Sequence, residues 1–236
     1  MMIAIAIDGP GGAGKSTMAR AVAKQLGYIY VDTGALYRAI GLYMRRHDVP
    51  TTDPRAVAAN LGEVQVRLAF RGGEQRVFLC GADVSDEIRT QDISIAASNV
   101  SAVPRVRDFL FDLQRDLARE NNVVMDGRDI GTVVLPDAQV KIFLTASPEE
   151  RAQRRYRELL EKGVQAEYQQ VLTELKQRDY DDSHRTVAPL VPAEDAIRVD
   201  STGLTREQAL QRLLKTIQSK ISADNSGIFR GTAGSL

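Results

Sequence analysis

A short run near the start of the chain combines glycines with a lysine and a serine, in the order Gly9-Pro10-Gly11-Gly12-Ala13-Gly14-Lys15-Ser16. Glycines at this spacing let the backbone form a nest whose N–H groups point at phosphate oxygens. Lys15 would reach the β- and γ-phosphates of a nucleotide, and the Ser16 hydroxyl is a ligand for Mg²⁺. The run follows an apolar stretch and opens a helical one, which is the context that this pattern requires. The sequence therefore predicts a phosphate-binding loop, against the alternative of a chance glycine turn.

A second candidate anion site begins at Asp32, directly after the apolar residues 28–31. We expect Thr33 to cap the helix that follows, so that free backbone N–H groups at the helix start face the same edge of the protein as the glycine-rich loop. Arg38 lies a turn later and adds positive charge. The alternative is an ordinary helix cap followed by a surface arginine, which these residues alone do not exclude.

A carboxylate and a guanidinium follow another apolar stretch, residues 123–125. Asp126 is placed like the carboxylate that helps hold Mg²⁺ beside a phosphate-binding loop. Arg128 could bind a phosphate through two parallel hydrogen bonds. A tight turn with a solvated ion pair is the alternative. With the loop, these groups indicate phosphoryl transfer, which needs charge neutralisation and in-line positioning more than a strong base.

Two more charged sets recur at helical spacing. One set lies at positions i, i+3 and i+4, so its members share a helix face: Arg151, Arg154 and Arg155. The other lies at i, i+4 and i+7: Arg178, Asp182 and Arg185. Charge runs on helices are usually solvated surface with internal ion pairs, and spacing alone favours that interpretation for both sets.

The elements that must position these residues follow an α/β pattern. Short apolar stretches predict five strands, at residues 2–7, 28–31, 122–125, 140–144 and 196–199. Helical patterns lie between or after them, at residues 16–26, 34–46, 104–120, 148–162, 167–181 and 205–221. Strands that alternate with helices are typical of a parallel α/β sheet, whose ligands gather at the carboxyl edge of the strands.

The alternation is interrupted in the middle of the chain. Alternating residues at 64–70 and 75–79 flank Gly72 and Gly73, which predicts an antiparallel hairpin. We therefore expect an inserted lobe over residues 48–100, within a core made of residues 1–47 and 101–221. Residues 222–236 are rich in Gly, Ser and Asn with little to bury, so we predict a disordered tail.

Composition narrows the class of protein. The 31 basic and 31 acidic side chains cancel, which argues against a nucleic-acid partner or an anionic membrane surface. The single cysteine, Cys80, allows no intramolecular disulfide, so a reducing cytosol is the expected compartment. The apolar start of the chain lacks a basic segment and a cleavage site, so we expect neither a signal peptide nor a membrane span. We also expect a monomer.

Several motifs together resemble the bacterial cytidylate kinase family, a branch of the P-loop nucleoside monophosphate kinases. The matching segments, in chain order, are IDGP (7–10), DTGALYR (32–38), VSDEIR (84–89), PRVR (104–107), DGRDIGTVV (126–134) and VAPLVP (187–192). The likeness covers about residues 2–221 and includes the hairpin insert. It implies a three-layer P-loop α/β fold with a five-stranded parallel sheet, an inserted monophosphate-binding lobe that contains a small antiparallel sheet, and a short helical lid over about residues 150–185.

The resemblance also implies a role for each matching residue. The cofactors would be ATP and Mg²⁺, with ATP bound by residues 9–17, of which the last is Thr17, and covered by lid arginines, Arg151, Arg154 and Arg155. The acceptor phosphate would be held by Thr33, Arg38 and Arg128, with Arg185 close by and Tyr37 beside them. The cytosine edge would be read by Ser98, Arg107 and Asp129, and the ribose by Arg178 and Asp182. The residues expected to act in catalysis are Lys15, Asp126, Arg128 and Arg185, and those expected to hold the metal are Ser16 and Asp126.

Three functions are compatible with the loop. The leading hypothesis is transfer of a phosphoryl group from ATP to CMP or dCMP, with both nucleotides as small-molecule partners. The second is a P-loop kinase for a different monophosphate or metabolite. The third is a nucleotide-dependent switch, but the Asn-Lys-x-Asp motif with which a GTPase reads its base is absent from the sequence.

Overall fold

The computed structural model describes residues 2–72, 74–161 and 163–230, with side chains up to residue 222. Its strands are β1 (Ala4–Asp8), β2 (Ile29–Asp32), β3 (Val66–Arg71), β4 (Glu74–Leu79), β5 (Ala82–Asp83), β6 (Val123–Gly127), β7 (Val140–Thr145) and β8 (Ile197–Asp200). Its α-helices are α1 (Lys15–Leu26), α2 (Thr33–Arg46), α3 (Pro54–Ala59), α4 (Gln91–Ser101), α5 (Pro104–Glu120), α6 (Pro148–Glu161), α7 (Tyr168–His184) and α8 (Arg206–Arg230). Short 3₁₀ turns cover Leu61–Glu63 and Glu87–Arg89, and a π-helical turn covers Ile130–Val134.

The five predicted parallel strands form one sheet in the order β2-β6-β1-β7-β8. All pairs are parallel, and β1 lies between β6 and β7, with Ile7 level with both Asp126 and Ile142. Every residue of β1 is buried, because helices cover both faces of a parallel sheet. The carboxyl ends of β1, β2 and β6 therefore meet at one edge, where the predicted site residues follow each strand.

Helices pack on both faces of this sheet. Met18 and Val22 of α1 and Leu213 of α8 pack with the sheet residue Ile5 in one apolar cluster. On the other face, the π-helical turn and the partly buried Leu117 of α5 pack in a second cluster. The result is the expected three-layer arrangement, helix on sheet on helix. Among the described residues, no helix is both long and apolar enough to cross a lipid bilayer.

The predicted hairpin is confirmed as β3 and β4, and β5 extends it to a three-stranded antiparallel sheet. The predicted turn includes Gly73, which lies outside the described residues. Gln75 joins the hairpin to the core sheet, because its side-chain oxygen accepts from the backbone N–H of Asp32 at 2.9 Å and its nitrogen donates to the Asp32 carbonyl at 3.2 Å. The hairpin thus lies against the edge strand β2, next to the second candidate anion site.

Helix α4 was not predicted, and it lies in the segment assigned to the inserted lobe. Thr90 caps it with a hydrogen bond from the Ile93 N–H. It packs closely on α2 at Gly41, where an added Cβ would lie 3.0 Å from the Ala96 Cβ. This close approach places the last turns of α4 over the same sheet edge as the start of α2.

Two other expectations differ from the structure at helix ends. Asp32, rather than Thr33, caps α2, because its carboxylate accepts from the Ala35 N–H at 3.0 Å and Thr33 is already helical. The last helix continues to Arg230, past Ser222, where the disordered tail was predicted to begin. Residues 231–236 lie outside the described residues, and the assignment of lobe, core and tail boundaries stays a prediction.

Candidate functional site

A cleft of about 580 Å³ lies along the carboxyl edge of the parallel sheet. The glycine-rich loop forms one end, and α4, α5 and α7 form the other. All but three of the predicted site residues line it: Gly11, Gly12, Ala13, Gly14, Lys15, Ser16, Thr17, Thr33, Tyr37, Arg38, Ser98, Arg107, Asp126, Arg128, Asp129, Arg154, Arg155, Arg178, Asp182 and Arg185. The three exceptions are Gly9 and Pro10 at the start of the loop, and Arg151 of α6. The fold thus brings predicted site residues from seven separated segments into one cavity.

The glycine-rich loop connects β1 directly to α1. Gly9 has a φ of 148°, and an added Cβ would lie 2.0 Å from the Leu144 carbonyl oxygen, so only glycine fits there. Gly14, with a φ of 82°, precedes the helix and offers no side-chain cap. The first N–H groups of α1 are therefore free to bind an anion, and the helix dipole favours negative charge at this end.

Lys15 lies inside this loop. Its side chain is 6% exposed, and its ammonium donates to the Pro10 carbonyl at 2.8 Å. Burial, and then the nearby Arg128, lower the pKa of Lys15 to about 7. A group in this state gains charge when anionic phosphates bind beside it, because they favour its protonated form.

Ser16 and Asp126 meet where the loop passes the end of β6. The Ser16 hydroxyl donates to Asp126 Oδ2 at 2.8 Å, and the buried Tyr30 hydroxyl donates to Oδ1 at 2.9 Å. Burial, and then the neighbouring Asp32, raise the pKa of Asp126 to about 6. A cation beside Asp126 would stabilise its ionised form and lower this pKa.

These oxygens fit Mg²⁺, which takes hydroxyl and carboxylate oxygens and keeps most of its other positions for water and substrate phosphates. In the part of the chain that the structure describes, no three or more His, Cys, Asp or Glu side chains form a metal-binding group. A magnesium site here would accordingly use one or two protein ligands. Ser16 and Asp126 provide them within hydrogen-bond distance of each other.

Asp8 holds the loop that follows β6, a role that sequence analysis missed. Its two carboxylate oxygens accept from the backbone N–H groups of Ile130 and Gly131, at 2.8 and 2.7 Å. Burial raises the pKa of Asp8 to about 6, although both N–H groups favour the ionised form. The signal was present in the sequence, as a carboxylate at the end of an apolar strand. Asp8 fixes the backbone immediately after Asp129.

The second anion site lies at the start of α2. Arg38 donates to Asp32 Oδ2 at 2.7 Å, and its buried Nε has no hydrogen-bond partner among the described residues. The Thr33 hydroxyl donates to the Asp126 carbonyl at 2.8 Å, so it ties α2 to β6. An added Cβ at Gly127 would lie 2.8 Å from that hydroxyl oxygen, so a larger residue there would displace Thr33. Arg38 thus lines the cleft, and its role in binding an anion stays a prediction.

Arg128 and α7 bring further positive charge to the middle of the cleft. Arg128 donates to Asp182 Oδ2 at 2.8 Å. Burial alone would raise the pKa of Asp182, but Arg128 and Arg178 hold it below its ordinary value. Burial, and then Arg128, lower the pKa of Arg178 to about 10. The arginines outnumber the carboxylate, so this region is built to receive an anion.

The far end of the cleft contains a buried ion pair between Arg107 and Asp129. Arg185 Nη2 lies 3.8 Å from the other Asp129 oxygen, and Arg107 also donates to the Ser101 carbonyl at 3.2 Å. Burial raises the pKa of Asp129, with Arg107 acting against it. The Tyr37 ring lies beneath Arg107, 5.7 Å from the guanidinium carbon. A buried hydrogen-bond acceptor and a buried donor fork thus lie side by side at this end of the cleft.

The three arginines of α6 do not share one environment. Arg154 and Arg155 line the cleft, where Arg154 donates to Glu150 and to the Ser201 carbonyl at 3.2 Å each. Arg151 is buried and lies outside the cleft, against the back of the glycine-rich loop. Spacing predicted the shared helix face but not the different neighbours.

A set of residues beside the loop was not predicted from the sequence. They lie between the end of β8 and the first turns of α8 and line the cleft next to Arg154: Ser201, Leu204, Thr205, Arg206 and Ala209. The rule that ligands collect beyond the carboxyl ends of parallel strands applies to β8 as well as to β1 and β6. Applied to β8, this rule could have identified these residues from the sequence.

Comparisons with known proteins agree with this geometry. The family model described as cytidylate kinase matches residues 5–219. The cytidylate kinase of Caldicellulosiruptor saccharolyticus is 51% identical over 213 residues, which cover 90% of this chain and 94% of the relative. That of Streptococcus mutans serotype c is 51% identical over 206 residues, covering 86% and 91%. That of Caldanaerobacter subterraneus subsp. tengcongensis is 50% identical over 224 residues, covering 95% and 98%. The chain belongs to the cytidylate kinase family.

Proposed function

We propose that this protein transfers the terminal phosphoryl group of ATP to CMP or dCMP, giving ADP and CDP or dCDP, with Mg²⁺. The observation that carries the proposal is the layout of the cleft, with the glycine-rich loop at one end and the Arg107–Asp129 pair at the other. Arg38, Arg128 and Arg178 lie between them. A donor triphosphate and an acceptor monophosphate placed at these two ends would meet with their phosphates in the arginine-rich middle.

The donor end would bind ATP. Backbone N–H groups of residues 9–17 would surround the β- and γ-phosphates, and Lys15 would stabilise the charge on the oxygen that bridges them as it breaks away. Ser16 and Asp126 would hold Mg²⁺, which neutralises phosphate charge when it is bound. Arg154 and Arg155 would cover the phosphates from α6, as parts of a lid formed by residues 150–185.

The acceptor phosphate would bind to Arg38, Arg128 and Arg185, with Thr33 and Tyr37 beside them. A phosphate monoester is largely a dianion at neutral pH, so the attacking oxygen needs no general base. The task of the protein is to hold two anionic groups in line and to offset their repulsion. Arg128 is suited to this task because its charge acts on Lys15 of the donor end while its side chain pairs with Asp182, so it would lie between the two phosphates.

The base would be read at the Arg107–Asp129 pair. Cytosine presents an amino donor next to a ring-nitrogen acceptor and a carbonyl acceptor. Asp129 would accept from the amino group, while Arg107 and Ser98 would donate to the acceptors. Uracil has a carbonyl in place of the amino group, which would face the Asp129 carboxylate and repel it. The ribose would contact Arg178 and Asp182.

We further propose a monomeric, cytosolic enzyme with these nucleotides as partners and no nucleic-acid ligand, since the charges balance and the one cysteine suits a reducing compartment. The second candidate is a P-loop kinase for another monophosphate or metabolite. The buried acceptor–donor pair favours cytosine over that alternative, because burying a charged pair is costly unless a ligand uses it or the fold needs it.

The direct test is ADP release in the presence of ATP, Mg²⁺ and CMP. We expect turnover, and a loss of about 10²–10³-fold or more in kcat for Lys15→Ala, because transition-state charge stabilisation is lost. Lys24→Ala, an exposed lysine at the other end of the same helix, is the control and should retain wild-type turnover. Near-normal turnover of Lys15→Ala would contradict the assignment of the loop.

A further inference from the structure

One buried guanidinium connects the glycine-rich loop to α7. Arg151 is 3% exposed, and its Nη1 donates to the Gly11 carbonyl at 2.8 Å. Its Nη2 donates to Asp179 Oδ2 at 2.6 Å, and its Nε donates to the Ala146 carbonyl, just after β7, at 2.9 Å. Three separate parts of the structure therefore depend on the position of one side chain.

Asp179 does not line the cleft itself, but it lies between two residues of α7 that do. Arg178 precedes it, and Asp182, one turn later, accepts the hydrogen bond from Arg128. The other Asp179 oxygen, Oδ1, is buried without a hydrogen-bond partner within the described ranges. Arg151 is therefore the strong partner of this carboxylate, and a shift of Arg151 would move or release the helix that presents Arg178 and Asp182.

The loop also packs against α6 and α7. A Cβ added at Gly12 would lie 3.3 Å from the Arg151 Cβ and 3.4 Å from Leu175 Cδ1. One added at Gly11 would lie 3.6 Å from Arg128 Nη2. The loop has little space to move without displacing the two helices, because packed interiors shift between discrete arrangements rather than deform continuously.

The direction of the Gly11 carbonyl matters for phosphate binding. A loop that surrounds anions must turn its N–H groups inward and its carbonyl oxygens outward, since an inward carbonyl would repel the phosphates. Arg151 holds the Gly11 carbonyl outward. Bound phosphates and Arg151 therefore favour the same loop conformation.

We propose that Arg151 and Asp179 are positioning residues that couple the two nucleotide sites. Binding of ATP to the loop then orders α7 for the acceptor nucleotide, and binding of the acceptor nucleotide to α7 orders the loop for ATP. The inference rests on the proposed function. Linkage requires the effect to be reciprocal: each nucleotide must tighten the binding of the other by the same factor.

The test is calorimetric titration of CMP into the free enzyme and into the enzyme saturated with Mg²⁺ and a non-hydrolysable ATP analogue. In the wild type we expect the analogue to strengthen CMP binding by about 5- to 150-fold, the usual range of coupling between sites. Arg151→Lys, which can reach only part of the three acceptors, and Asp179→Asn, which keeps the shape of the side chain, should reduce this factor to about two-fold or less.

A matched control is available between the same two helices. Lys176 of α7 pairs with Glu149 of α6 at 3.1 Å, but both side chains are exposed and neither lines the cleft. In Lys176→Gln the ATP analogue should strengthen CMP binding as much as in the wild type. If the α6–α7 contact had only a structural role, this strengthening would fall in all three variants together. Thermal melting identifies a variant that fails to fold. If either Arg151→Lys or Asp179→Asn does so, the titrations of the other variant test the inference.

Three results would overturn the inference. In the first, the ATP analogue leaves CMP binding by the wild type unchanged. In the second, it strengthens CMP binding by both Arg151→Lys and Asp179→Asn as much as by the wild type. The third result is a loss of coupling in Lys176→Gln equal to the loss in those two variants. Failure of the proposed function is distinguishable, because it would appear as absence of CMP turnover by the wild type. Failure of this inference alone would leave that turnover intact.

Discussion

The Ser16 hydroxyl donates a hydrogen bond to Asp126 Oδ2 across 2.8 Å, which joins residues 110 positions apart in the chain. Tyr30 holds the other carboxylate oxygen. The pair lies where the glycine-rich loop of β1 passes the end of the neighbouring strand β6. Two motifs that were assigned to magnesium separately, from their local patterns, thus meet at one point, and this relationship makes their joint role testable.

Asp126→Asn keeps the shape of the side chain and removes its charge. We expect the magnesium concentration for half-maximal turnover to rise by about ten-fold or more, as substitutions around metal sites commonly produce. The measurement is turnover against Mg²⁺ at saturating ATP and CMP. Tyr30→Phe, which leaves both metal-binding side chains in place, should give a smaller rise. An unchanged magnesium requirement in Asp126→Asn would remove Asp126 from the metal site.

Lys15 should take up a proton when nucleotide binds. Its pKa is lowered to about 7 by burial and Arg128, so at pH 8 the free side chain is mostly neutral. Phosphates beside it raise the pKa again, and the ammonium forms on binding. At pH 6 the free side chain is already mostly charged, so Lys15 contributes little uptake.

Calorimetry of ADP binding at pH 8, in two buffers with different ionisation enthalpies, measures this proton uptake. The apparent binding enthalpy should depend on the buffer for the wild type and lose most of that dependence in Lys15→Met. A wild-type enthalpy that is the same in both buffers at pH 8 would show that the lysine is already charged before binding.

Asp129→Asn should weaken discrimination at the base. The carboxylate that accepts from a cytosine amino group becomes an amide, which can also donate to a uracil carbonyl. We expect the ratio of kcat/KM for CMP to that for UMP to fall by about 10- to 200-fold, with KM for ATP nearly unchanged. Asp137→Asn serves as the control, because Asp137 is exposed and lies eight residues further along the chain than Asp129. Equal rises in KM for ATP and CMP would remove Asp129 from the base-reading role.

Gly9→Ala should damage the loop through the backbone. The new Cβ would overlap the Leu144 carbonyl oxygen and sit on a backbone conformation that favours glycine, with a φ of 148°. We expect a loss of about 3 kcal/mol or more in the free energy of unfolding, measured by denaturant titration, from strain and overlap together. Gly62→Ala, where an added Cβ meets nothing within 4 Å, should be nearly neutral. Equal stability of the two variants would contradict the close approach at Gly9.

Much of the fold was predictable, because its signals are local. The β1–loop–α1 unit follows from an apolar run, glycines and a helix start, and the helix from Pro104 to Glu120 was predicted with the bounds that the structure has. Helix α4 was missed because its sequence mixes Ile, Val and Ser, which have weak helix propensity. Its packing on α2 at Gly41 stabilises it, and that contact is not visible in local patterns.

The site residues could be predicted where a motif follows the end of a strand. They were less predictable where contacts between distant parts of the chain determine the neighbours of a side chain. Spacing placed Arg151 and Arg154 on one helix face, but only the packing of α6 shows that Arg151 faces the back of the loop. Thr33 looked like a helix cap, yet Asp32 occupies that position and also holds Arg38. Asp8 gave a local signal, as a carboxylate at the end of an apolar strand, but the backbone groups that it holds lie more than 120 positions away and could not be identified from that signal.

The central claim is that the cleft phosphorylates a cytosine monophosphate, and one measurement tests it most directly. ADP release from ATP and Mg²⁺ is compared for CMP, dCMP, UMP, AMP and GMP supplied one at a time. We predict strong turnover with CMP and dCMP and much weaker turnover with the other three. Strong turnover with a different monophosphate would contradict the assignment of Asp129 and Arg107 to cytosine, and absence of turnover with all five would contradict the kinase itself.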